Sequence, residues 1–117
     1  MVNKSDISQT IALVHAKGLL MGGPETSELS DQIQKAYLGG HYKIVIDLSN
    51  VCWANSHAVG MMMKWFVTVR DKGGDIRFAG LNDKLISYLT LTNLSSVLPT
   101  FQNIDAAIDS FNERAVV

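Results

Sequence analysis

The chain has 117 residues, 47% of them hydrophobic, and a formal net charge of −1. That length suits one compact domain, and the apolar content builds a core without help from metals or disulfides. The near-neutral balance lacks the basic excess of a general nucleic-acid binder and the cationic surface that seeks an anionic membrane.

Met1 to Thr10 is polar and lacks the apolar core of a signal peptide. No stretch approaches the length of a membrane span. The single cysteine, Cys52, excludes an intrachain disulfide and suits a reducing compartment. A cytoplasmic protein with no membrane insertion is the expectation. In Val51-Cys52-Trp53 the cysteine reads as a small core residue rather than a nucleophile.

Taken in chain order, Thr10 to Ala16 reads as a strand, with a short partner strand near Lys4 to Ser8 as an option. Gly22-Gly23 turns the chain. Pro24 suits the first turn of a helix, where its missing N–H costs nothing. Leu29, Ile33, Ala36 and Tyr37 share one face of that helix, and Gly39-Gly40 ends it. Tyr42 to Leu48 is a nearly continuous apolar run rich in β-branched residues, the pattern of a strand covered on both faces.

A second helix runs from near Ser56 to about Asp71, before Gly73-Gly74. Asp75 to Ala79 is the next strand. Asn82 caps a helix carrying Leu85, Ile86 and Leu89. A turn at Asn93-Leu94 leads to a short strand near Pro99 to Phe101. Asn103 caps a last helix whose Ile104, Ala107, Ile108 and Phe111 share a face. Strands alternating with helices predict a mainly parallel α/β sheet with right-handed crossovers, in a single domain over residues 1–117.

The second helix carries the most information. Val59, Met62, Met63, Phe66 and Val67 form a stripe that packs on the sheet. The opposite face reads His57, Met61, Lys64, Trp65 and Thr68, with Met61 and Trp65 one turn apart. One sheet does not bury both faces. Either another element covers Met61 and Trp65, or they form an apolar patch, open in solution or buried in a homodimer. Ser56 lies at or next to the N-cap, and Asn55 caps equally well. A phosphate on Ser56 would meet unpaired N–H groups and the positive end of the helix dipole. It would also place roughly −1.5 to −2 charges beside an apolar surface, which a partner would have to desolvate.

Catalytic signatures are missing. His15, His41 and His57 stand far apart, and no metal spacing links them to Cys52 or to paired carboxylates. Ser56 and His57 are adjacent on a helix and point about 100° apart, a poor nucleophile–base geometry. No Walker motif, G-x-G-x-x-G or G-x-S-x-G occurs. No enzyme activity, cofactor or metal is expected, although Ser56 follows a strand end of the kind where α/β sheets bind ligands.

Three segments together, Asp47-Leu48-Ser49-Asn50-Val51, Asn55-Ser56-His57-Ala58-Val59-Gly60 and Asp71 to Gly80, resemble the STAS domain. More closely, they resemble the bacterial anti-sigma factor antagonists. The likeness continues through Leu89-Thr90-Leu91-Thr92-Asn93-Leu94 to the last helix. The family's usual signature is a strand ending D-L-S-x-V, then D-S-S-G-L-G at the mouth of the second helix. Its first serine is the phosphate acceptor and matches Ser56. Here Asn55 stands for the usual Asp, and His57-Ala58 for Ser-Gly.

The resemblance implies a STAS-like sheet of four or five mostly parallel strands with about four flanking helices. It also implies partner switching. The unphosphorylated protein binds an anti-sigma factor, often a serine kinase of the GHKL type, and so frees a sigma factor. The kinase ends the binding by phosphorylation and a PP2C-type phosphatase restores it. Asn55, Ser56, His57, Met61, Lys64 and Trp65 would form the docking face, with Gly22 and Gly23 beside them. The same family also supplies docking modules that do not switch, in stressosome-like assemblies or beside ABC transporter ATPases.

Overall fold

The computed structural model describes residues 11–113. β2 (Lys43–Ala54) is the axis of the sheet, and its residues Ile44 to Leu48 are all buried. β1 (Ile11–Leu20) pairs on one side of it, and β3 (Asp75–Ala79) on the other, followed by the short β4 (Thr100–Phe101). The order is β1-β2-β3-β4 and every pair is parallel. The helices are α1 (Pro24–Leu38), α2 (Ser56–Asp71), α3 (Asp83–Leu91) and α4 (Ile104–Glu113). A 3-10 turn at Leu94–Ser96 precedes β4. This is the STAS-like α/β architecture, with four strands and four helices among the described residues.

The pleat of β2 sorts its side chains into two layers. Ile44, Ile46 and Leu48 face α1, α2 and α3. There they meet Leu29 and Ile33, Ala58, Val59, Met62, Phe66 and Val69, and Leu85 and Leu89. Val45 faces the other way, where with Ala79 it meets Ala107 and Phe111 of α4. Among the described residues the sheet is therefore covered by three helices on one face and by one on the other.

The caps follow the sequence. Pro24 opens α1 and Gly39 closes it. Asn82 Oδ1 accepts the Leu85 N–H at 2.9 Å, and Asn103 Oδ1 accepts that of Ala106 at 2.8 Å. Both long strands run further than the pattern predicts, because β1 and β2 keep pairing from Lys17↔Asn50 to Leu20↔Ala54. Two register shifts interrupt this extension, between His15 and Lys17 and between Gly18 and Leu19.

Three expectations on burial need correction. Cys52 is exposed rather than in the core. It is the extra residue opposite the Gly18/Leu19 step, and a bulge breaks the in–out alternation on which its assignment rested. Val67 is 49% exposed, because α2 presents Ala58, Val59, Met62, Phe66 and Val69 to the sheet, a stripe centred away from Val67; Met63 is half-buried. Ile86 on α3 is exposed too, and buried Leu85 and Leu89, with half-buried Tyr88, carry that helix into the core. The partner strand suggested near Lys4 to Ser8 lies outside the described residues.

Candidate functional site

β2 runs into α2 across a single residue, Asn55, which is pinned from two sides. Its N–H donates to the Leu20 carbonyl at the end of β1 (2.9 Å), and its Oδ1 accepts the Ala58 N–H (3.0 Å). Its backbone is extended, with φ −84° and ψ 178°, as an N-cap requires. The question of which polar residue caps α2 is thus answered in favour of Asn55. Ser56 occupies the first helical position. It is exposed, and its hydroxyl has no hydrogen-bond partner among the described residues.

His57 is exposed and lies against the loop before α1. Gly22 has φ +90°, and a Cβ added there would come within 3.2 Å of His57 Cδ2. Glycine is needed at this point for the backbone angle and for the imidazole beside it. The Gly22 N–H donates to the Oγ1 of buried Thr26 at 2.9 Å, and Gly23 is the N-cap of α1. Gly22, Gly23, Asn55, Ser56 and His57 therefore converge at the carboxyl end of the parallel sheet, where two helices begin.

The other expected residues separate into two groups. Lys64 is exposed, two turns along α2 from Ser56. Met61 and Trp65 are half-buried and pack on the core. Trp65 turns to α1, donating its Nε1–H to Ser30 Oγ at 3.0 Å with its ring 5.9 Å from that of Tyr37. The face left open on α2 carries Ser56, His57, Gly60, Lys64 and Val67. Gly60 was not among the expected residues, although its position four after Ser56 puts it on the same face.

Asp47 stands at the C-terminal side of the buried part of β2. Burial alone would raise its carboxyl. The Ser49 backbone N–H (3.0 Å), the Ser49 hydroxyl and His15 Nδ1 (2.9 Å) outweigh that and hold it below the ordinary aspartate value. The space among the helices and sheet, lined by Leu20, Leu48, Val59, Met62 and Leu85, is about 20 Å³. Small-molecule sites occupy several hundred. Among the described residues no group of three or more His, Cys, Asp or Glu stands where it could hold a metal ion. No helix among them is long and apolar enough to cross a membrane.

Comparison with solved structures places this geometry among known folds. A protein from Thermotoga maritima assigned as an anti-sigma factor antagonist superposes with a TM-score of 0.77 at 20% identity, over 86% of each chain. A sulfate transporter family protein from Wolinella succinogenes gives 0.73 at 11%, over 92% of this chain and 89% of that one. The Bacillus cell fate determinant SpoIIAA in its phosphorylated form gives 0.65 at 14%, over 95% of both. At these identities the likeness is one of fold. No curated protein matches the chain. A family model described as "Mlab, STAS domain" matches residues 9–99, most of the length, and with it the chain belongs to the STAS domain family.

Proposed function

We propose that the protein is an anti-sigma factor antagonist that switches partners through Ser56. In this reading the unphosphorylated mouth of α2 binds an anti-sigma factor, a serine kinase of the GHKL type, and so frees a sigma factor. Phosphorylation by that kinase ends the binding, and a PP2C-type phosphatase restores it. The protein is substrate and ligand in this cycle, not catalyst, and it works in the cytoplasm.

The observation that carries the reading is the division of labour between Asn55 and Ser56. Asn55 closes the helix, so the Ser56 hydroxyl is left exposed and without a structural task. A phosphate there is tolerated by the free N–H groups of the first turn. Inside an interface the same dianion loses its water without a counter-charge, a cost of several kcal/mol. The solved anti-sigma factor antagonist of the same fold supports the choice of partner.

The test is affinity for the cognate anti-sigma factor. Ser56→Ala should bind as the parent does and change stability by under about 0.5 kcal/mol, because the cap is elsewhere. Ser56→Asp should lose at least roughly tenfold, or about 1.4 kcal/mol. Equal affinity for Ser56→Asp and parent would refute the switch. A second reading, a docking module that does not switch, draws support from the likeness to a sulfate transporter domain. Under that reading Ser56 stays unmodified in cells in every growth condition, and the protein is recovered in a constant complex. Site mapping of native protein by mass spectrometry separates the two.

A further inference from the structure

The mouth of α2 hangs on a piece of β2 that the sheet does not fully support. The β2–β3 ladder ends at Asp47↔Ala79. Gly80, with φ +78°, then takes the chain away, its N–H donating to the Phe101 carbonyl at 3.0 Å. Residues 48–54 of β2 thus keep β1 on one edge and have no strand on the other. Backbone groups without a ladder partner need another one, or they open to water.

Asn82 occupies that place. Its Nδ2 donates to the carbonyl oxygens of Cys52 (3.0 Å) and Val51 (3.3 Å), while its Oδ1 caps α3 through the Leu85 N–H (2.9 Å). Two successive carbonyls of a regular strand point to opposite edges. Here the bulge at Cys52 brings both within reach of one amide. A side-chain amide is the chemical equivalent of the missing backbone. The Trp53 ring adds an edge contact to Tyr88 of α3, with centroids 5.4 Å apart.

We propose that Asn82 is a positioning residue for the docking surface. Its amide stands in for the absent neighbour strand and sets where β2 delivers Asn55, Ser56 and His57. The role rests on the reading of that surface as the docking site, but the tether itself is tested without a partner. It also links α3 to the mouth of α2 through one side chain, so a change in α3 is felt at Ser56.

Asn82→Asp and Asn82→Ser separate the two functions of the side chain. Both new residues are good N-caps, so α3 keeps its start. Neither supplies the amide donor, and the aspartate sets a carboxylate against two carbonyls. The measurement is amide hydrogen exchange of the full chain, resolved by residue, alongside urea unfolding. Exchange at Trp53, Asn55 and Ala58 should rise roughly five- to tenfold, the weight of one net hydrogen bond. The unfolding midpoint should fall by the same margin, since the lost bond is absent from the unfolded chain, and exchange within α3 should rise by no more than that margin. Unchanged exchange at those three amides in both variants would overturn the proposal. So would a larger rise in α3 than at those three amides, since Asn82 would then act as a cap alone. Failure of the docking reading registers separately, as equal partner affinity for parent and Ser56→Asp.

Discussion

Asp47 is only 6% exposed, yet its environment favours the charged form. Burial pushes the carboxyl up, and the Ser49 N–H, the Ser49 hydroxyl and His15 together pull it below the ordinary value. A carboxyl whose value is lower in the folded state adds stability that is present above the unfolded value, about 3.9. That stability is lost as pH falls through the folded value. The expected result is that Asp47→Asn is less stable than the parent at pH 5. The margin should then shrink below about pH 4, as urea titrations at stepped pH would record. A margin that does not change down to pH 3 would show that the charge contributes nothing. Asp47 and Ser49 were legible as part of a motif. His15 was not, because it lies 32 positions upstream and only the parallel pairing of β1 with β2 brings it across.

At the scale of one element, α2 carries a glycine for which the free protein gives no reason. Gly60 lies inside the helix with nothing within 4 Å of an added Cβ and no positive φ. A glycine in a helix interior costs about 1 kcal/mol relative to alanine. Gly60→Ala should therefore stabilise the protein by about 0.5–1 kcal/mol in urea unfolding. The same methyl stands one turn from Ser56 on the open face, so it should weaken binding of a partner that approaches closely there. A destabilised Gly60→Ala would mean that the backbone at this position is constrained in a way the helix does not reveal. The bounds of α2 could be read from the sequence, since a polar cap and a Gly-Gly stop are local signals. Its rotation could not. Two apolar stripes compete around Met62, and the one that faces the sheet carries the fully buried Ala58 and Val69. The fate of Trp65 depended likewise on where α1 crosses, which no local pattern encodes.

At the scale of the molecule, the two faces of the sheet are unequal among the described residues. Three helices enclose the large core, whereas the opposite cluster has, among the described residues, Val45, Ala79, Ala107 and Phe111 as its buried members. The sequence signalled both layers, because β2 reads as apolar on both sides and α4 as apolar on one. It did not signal Arg77, which is 8% exposed beneath α4. There its guanidinium bonds Asp75 Oδ2 at 2.9 Å and lies 4.3 Å from the centre of the Phe111 ring. A buried cation persists only if its charge is met, and here the Asp75 carboxylate and the rings of Phe111 and Phe101 (5.9 Å) meet it, although Nε finds no hydrogen-bond partner among the described residues. Phe111 thus anchors α4 twice, by its area and by its ring. Phe111→Ala should cost about 3–5 kcal/mol, within the range for a buried aromatic. Phe111→Leu, which keeps most of the volume but removes the ring, should cost less, by about 1–2 kcal/mol. Since α4 covers the face opposite α2, the folded fraction of Phe111→Leu should bind the proposed partner as the parent does. A Phe111→Leu protein that stays folded yet loses binding as Ser56→Asp does would place α4 in the interface. The docking surface would then have to span both faces of the sheet.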